Sequence, residues 1–104
     1  MNTTEANLTL NDAIDTYRRE INGYLEQMLD FKSIDPLEVM ILIGGYSARA
    51  SWIRGRLIRS GSKAAELFRT KELDPFLNET DRQFKVWSRV VAIMDAEIKY
   101  SRKM

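Results

Sequence analysis

Arg49, Trp52, Arg56, Arg59 and Lys63 stand at i, i+3, i+7, i+10 and i+14, which on a helix advancing about 100° per residue gathers them within an arc of roughly 80°. A ridge of four cations around one indole suits a single-stranded nucleic acid. The cations follow the phosphate backbone while the indole stacks on an unpaired base, a contact worth about 1–3 kcal/mol per base. Folding alone does not call for such a ridge, because like charges at helical spacing repel by a few tenths of a kcal/mol per pair. Arg54, Arg69 and Lys71 widen the positive field. Two further roles suit the same residues. In one, Trp52 packs beneath the first or third helix and the cations pair with the acidic N-terminal segment, through Asp12, Asp15, Glu20, Glu26 and Asp30. Exposed pairs contribute under ~1 kcal/mol, which leaves the concentration of charge poorly explained. In the other, the ridge is a hot spot for a protein partner, a setting in which Trp and Arg are the commonest anchors. A smaller basic ridge, Arg82, Lys85 and Arg89, reads as a solvated face.

The remaining residue types narrow the chemistry. The chain has neither cysteine nor histidine, so disulfides, thiolate nucleophiles, imidazole proton transfer and the usual zinc or haem ligands are excluded. Gly44-Gly45 does not read as a phosphate cradle, since no strand precedes it and no Gly-Lys-Ser/Thr follows. Asp30, Asp35 and Glu38 form a carboxylate group, yet helix capping explains Asp35 and Glu38 better than acid–base or metal chemistry does. The expectation is a non-enzymatic chain with no cofactor and no metal.

Charge is distributed unevenly although the net is only +1. Residues 1–45 hold eight acids against three bases, residues 46–72 seven bases against two acids, and residues 73–104 six bases against five acids. Hydrophobic residues at 44% and charged residues at 30% suit one globular domain spanning 1–104. The opening MNTTEANLTL has no signal-peptide character, and the longest apolar run, near Val39 to Tyr46, is far short of the ~20 residues a membrane span needs. A cytoplasmic setting without a membrane span is expected.

The elements that position the ridge are helical. Leu10, Ile14, Tyr17, Ile21, Tyr24, Met28 and Phe31 alternate steps of four and three, predicting a helix over 10–31 that opens on a Thr9–Asp12 capping pair. Asp35-Pro36, with Glu38 able to reach back, opens a second helix over 36–72, with Val39, Ile43, Tyr46, Ala50, Ile53, Leu57, Ala64 and Phe68 on one face. Its glycines allow a kink near 44–45 or 60–62; in the alternative reading, Gly61, Ala64, Ala65, Ala50 and Ser47 are small enough to let another helix come near the backbone. Asp74-Pro75, with Asn78 or Thr80 as cap, precedes a third helix over 78–102 carrying Leu77, Phe84, Trp87, Val91, Met94 and Ile98. The class is all-α, an elongated helical hairpin or bundle with a long central helix. Stripes of this length also point to self-association, with Ile14, Tyr17, Ile21, Tyr24, Ile43, Tyr46, Ile53, Leu57, Phe84, Trp87, Val91 and Met94 as the core or oligomer seam.

Tyr46, Ser47 and Trp52 ahead of the basic helix, and Trp87-Ser88-x-Val-Val leading to a basic end, resemble small helical phage proteins of the UvsY-type recombination-mediator kind over roughly residues 38–104. The resemblance implies a ring-like homo-oligomer that holds single-stranded DNA through basic side chains of a central helix. The alternative from another class is a helical adaptor or inhibitor that grips a protein partner with the same Trp/Arg face.

Overall fold

A computed structural model of the chain describes residues 3–103. These residues form three long helices and no strand. Helix α1 is Thr3–Leu29, a single 3-10 turn Phe31–Ser33 follows, and α2 is Pro36–Ser60. Helix α3 covers residues 63–103, built of Lys63–Phe68, a π-helical segment Arg69–Leu73 and Asp74–Lys103. The molecule measures 72 × 21 × 20 Å. Helices α2 and α3 form an antiparallel hairpin, and α1 lies along it.

The start of α2 follows from Asp35-Pro36. The Asp35 carboxylate accepts from the Leu37 amide at 2.9 Å, and proline at the first position gives up an N–H that has no helical partner. The end of α2 departs from the sequence reading. The spacing predicts helix to 72, but Gly61 adopts φ +66° as the C-terminal cap, and the Ser62 hydroxyl accepts from the Ala65 amide at 3.1 Å to begin α3. A left-handed glycine followed by a serine cap stops one helix and starts the next. The longest helix is therefore the last, and the boundary expected at Asp74-Pro75 does not occur.

The helix runs through Pro75 because a π turn precedes it. The Asp74 amide donates to the Arg69 carbonyl, one residue further back than in an α-helix. The wider turn gives the pyrrolidine ring room and absorbs the missing donor. Asp74 is helical, and its carboxylate, instead of capping, meets Arg54 of α2 at 2.9 Å and Arg69 at 3.5 Å. Thr80 likewise is no cap. It is buried, and its hydroxyl donates to the Leu77 carbonyl at 2.8 Å. Thr9 and Asp12 lie inside α1, whose described part begins at Thr3.

One core joins the three helices. Ile14, Ile21, Met28 and Phe31 come from the first stripe, and Val39, Ile43, Tyr46, Ala50, Ile53 and Leu57 from the second, all buried. Tyr17, Tyr24 and Trp87 pack on this core partly buried. Helix α3 adds Ala65, Phe68, Leu73 and Phe76. Phe84 and Met94, expected in the seam, are exposed, and Val91 is half-buried. Arg18 fastens α1 to α3, with its guanidinium on the Glu72 carboxylate at 2.9 Å and over the Phe68 ring at 5.3 Å. No described helix is long and apolar enough to cross a membrane.

No helix break falls at Gly44 and Gly45. Helix α2 is continuous through them, and a Cβ on either would meet nothing within 4 Å. The 60–62 break is the one that forms. Gly44→Ala and Gly45→Ala are each expected to raise stability by up to about 1 kcal/mol. Gly61→Ala is expected to lower it by about 1–2 kcal/mol, since alanine resists the left-handed region. Urea unfolding followed by helical circular dichroism checks all three, and a stabilising Gly61→Ala would refute this account of the turn.

Candidate functional site

The exposed side of α2 carries the basic ridge. Trp52 is 46% exposed, with the Arg49 guanidinium 4.6 Å from its ring on one turn and the Arg56 guanidinium 5.0 Å away on the next. Cations this close to an indole are held by its ring quadrupole at about 0.5–1 kcal/mol each when exposed. The same spacing that aligns the ridge, three residues back and four forward, brings these groups to the ring. Arg59 turns back along the helix over Gly55, where a Cβ would sit 3.6 Å from its guanidinium. No side chain at position 55 competes for that path.

Arg49 is anchored from α1. Its Nε and one terminal nitrogen donate to the two Glu20 oxygens at 2.7 and 3.1 Å, and its guanidinium also lies 5.9 Å from the Tyr17 ring. Tyr24 donates to the same Glu20 carboxylate at 2.5 Å. The Arg49 contact holds the Glu20 carboxyl below its ordinary value, and burial together with Glu20 pushes the Tyr24 phenol up to about 12. Tyr24 stacks on Tyr46 with ring centroids 4.3 Å apart, and the Tyr46 hydroxyl donates to Gln27. A line of polar contacts therefore runs from the α1–α2 interface to the surface indole.

The structure divides the predicted cations into two groups. Arg49, Arg54 and Arg69 are tied to carboxylates of neighbouring elements, Glu20 and Asp74. Arg56, Arg59, Lys63 and Lys71 are exposed, and none of them enters an ion pair among the described residues. Pairing with the acidic N-terminal segment thus accounts for Arg49 within the ridge and leaves Arg56 and Arg59 open. Lys63 belongs to the first turn of α3, across the Gly61 break, so the single-helix ridge ends at Arg59. In the second ridge Arg82 pairs with Glu79 at 2.6 Å. Among the described residues no group of three Asp or Glu side chains is placed to hold a metal ion.

Spacing along α2 does not single out Glu20 and Tyr17, which belong to the arrangement. Their signal lies on α1, where a carboxylate three residues beyond a stripe tyrosine edges the apolar face and a guanidinium from α2 can reach both. What the assembled group offers is one open guanidinium, Arg56, against a half-exposed indole, a second, Arg59, farther along the same ridge, and an anchored guanidinium, Arg49, that positions the indole. That arrangement can hold phosphate oxygens and flat unsaturated rings together.

No protein-family model, curated protein or solved structure matches the chain.

The anchoring pair gives the site a pH dependence. Arg49 depresses the folded-state pKa of Glu20 below the ordinary 4.5. The pair's stabilisation is therefore complete above that value and disappears as pH falls through the lower folded pKa. In a Trp87→Phe background, where Trp52 is the sole indole, acidification below pH 4.5 is expected to change Trp52 emission as Arg49 loses its anchor. Glu20→Gln should remove that step, and an identical acid profile in both proteins would disprove the anchoring.

Proposed function

We propose that this chain is a non-catalytic nucleic-acid-binding accessory protein that holds single-stranded DNA along Trp52, Arg56 and Arg59 and associates with further copies of itself. The role is of the recombination-mediator kind that its sequence resembles in small helical phage proteins. The observation that carries the reading is that Trp52 is half-exposed against two guanidinium groups, while Arg56 and Arg59 have no acidic partner among the described residues. A chain that neutralises Arg54 and Arg69 on Asp74 and Arg49 on Glu20 leaves Arg56 against the indole and Arg59 farther along the same ridge with charge available to an outside anion. Guanidinium groups meet phosphate with two parallel hydrogen bonds, and their planar faces also stack on bases.

Arg49 acts as a positioning residue in this scheme. With two of its three guanidinium nitrogens committed to Glu20, it presents its face to Trp52 and limits the indole's freedom, which lowers the ordering cost when a base arrives. Lys63 and Lys71 supply a weaker positive background.

Titrating the protein with a single-stranded oligonucleotide while following tryptophan emission tests the proposal. Binding is expected to weaken steeply with salt, with a log–log slope near −0.7 per phosphate neutralised. Arg56→Ala and Arg59→Ala are each expected to flatten that slope by about 0.7. Trp52→Ala is expected to lose about 5- to 160-fold in affinity for single strands and less for duplex, as base stacking requires. No spectral change at low salt would overturn the nucleic-acid reading. Salt-insensitive binding to one protein, abolished by Trp52→Ala, would assign the face to the adaptor role instead.

A further inference from the structure

We propose that residues 88–102 of α3 pair antiparallel, about a two-fold axis, with the same segment of a second copy of this chain. Helix α3 outlasts the helices it packs against. Trp87 meets Phe31, in the turn between α1 and α2, edge-on with centroids 6.3 Å apart, so the hairpin closes at that level. The 15 residues from 88 to 102 extend a further 22 Å or so, and none of them is buried. The sequence nevertheless keeps writing a buried pattern there. The seam that carries Thr80 and Trp87 inward continues at steps of four and three through Val91, Met94 and Ile98, and Met94 and Ile98 are 40% and 49% exposed. An isolated four-turn helix with an apolar seam gains little stability in water without a partner for that seam.

Charge selects a second copy as the occupant. The two ends of the segment differ in charge. Its tip carries Lys99 and Arg102 against Glu97, whereas the turn beside its base carries Glu26, Asp30, Asp35 and Glu38 against Lys32, with Arg89 on α3 nearby, all exposed. Antiparallel pairing brings each tip to the other copy's acidic turn, where Leu29 and Leu37, 81% and 61% exposed, extend the apolar surface. Parallel pairing would set the cationic tips together, and the acidic turn would be repelled from an anionic lipid surface.

This inference rests on the self-association proposed for the chain and assigns it a surface; it is independent of the DNA ligand. Sedimentation of the full chain tests it. The wild type is expected to be dimeric at micromolar concentration. The double variant Met94→Asp/Ile98→Asp is expected to be monomeric, while keeping the thermal transition of residues 9–87 and losing at most the helicity of the overhang. Lys99→Glu/Arg102→Glu should weaken the dimer at least tenfold at low salt, and adding Glu38→Lys should restore it. A monomeric wild type would overturn the proposal, whether or not it sediments with phosphatidylserine vesicles. So would a dimer indifferent to Met94→Asp/Ile98→Asp, or charge reversals that Glu38→Lys does not rescue. Trp52→Ala leaves the dimer intact and removes only oligonucleotide binding, so the two readings fail separately.

Discussion

A single left-handed residue, Gly61, sets the geometry on which the other interactions rest. By ending α2 at Ser60 and letting Ser62 open α3, it folds the most basic stretch of the chain back beside the helix that carries Asp74. Arg54 and Arg69 converge on that carboxylate, and Leu57, Ala65 and Phe68 close the core around the reversal. Without the break, the seven bases between residues 46 and 72 would share one rod and repel along its length. With it, charge is sorted. Arginines that face a neighbouring helix are neutralised there, and those that face water, Arg56 and Arg59, are left on the ridge that carries Trp52.

Helix α1 supplies the second half of that sorting. Its Glu20 holds Arg49, its Tyr17 lies against the same guanidinium, and its Tyr24 ties Glu20 to the buried aromatic stack. The surface indole is thus coupled to the interior through hydrogen bonds and not through its own burial. Charge-assisted contacts of this kind fix orientation more than they add stability, because the carboxylate and guanidinium are both partly hydrated. The arrangement trades little folding free energy for a well-defined indole.

Much of the fold is written in the apolar spacing. Seven positions of the first stripe and the six from Val39 to Leu57 on α2 contribute to the core as the periodicity requires, since burying its apolar face is the main driving force that folds an amphipathic helix onto its neighbours. What the spacing does not disclose is phase across an irregular turn. Gly61 is one of several glycines, and only its position between two serines, able to cap both ways, distinguishes it. Asp74-Pro75 reads locally as a helix start, yet a π turn upstream satisfies proline without ending the helix. That turn is a tertiary outcome, favoured because it lets Phe68 and Leu73, five residues apart, both reach the core. For the candidate site, the ridge from Arg49 to Arg59 is readable from spacing alone. Its division into anchored and open arginines depends on Glu20 and Asp74, partners 29 and 20 residues away along the chain.

The π segment has a consequence for how this chain tolerates change in length. Arg69–Leu73 stores one residue more than a regular helix would place there, and each residue added to or removed from a helix rotates everything beyond it by about 100°. A one-residue deletion between 69 and 73 would leave a perfectly ordinary helix, with Pro75 crowding its fourth neighbour, and would swing Phe76, Thr80 and Trp87 away from the interior together. The chain is therefore intolerant of insertions and deletions in the middle of its longest helix, where a rod would ordinarily be thought uniform, and far more tolerant of them beyond Trp87, where such a shift would turn only the overhanging arm.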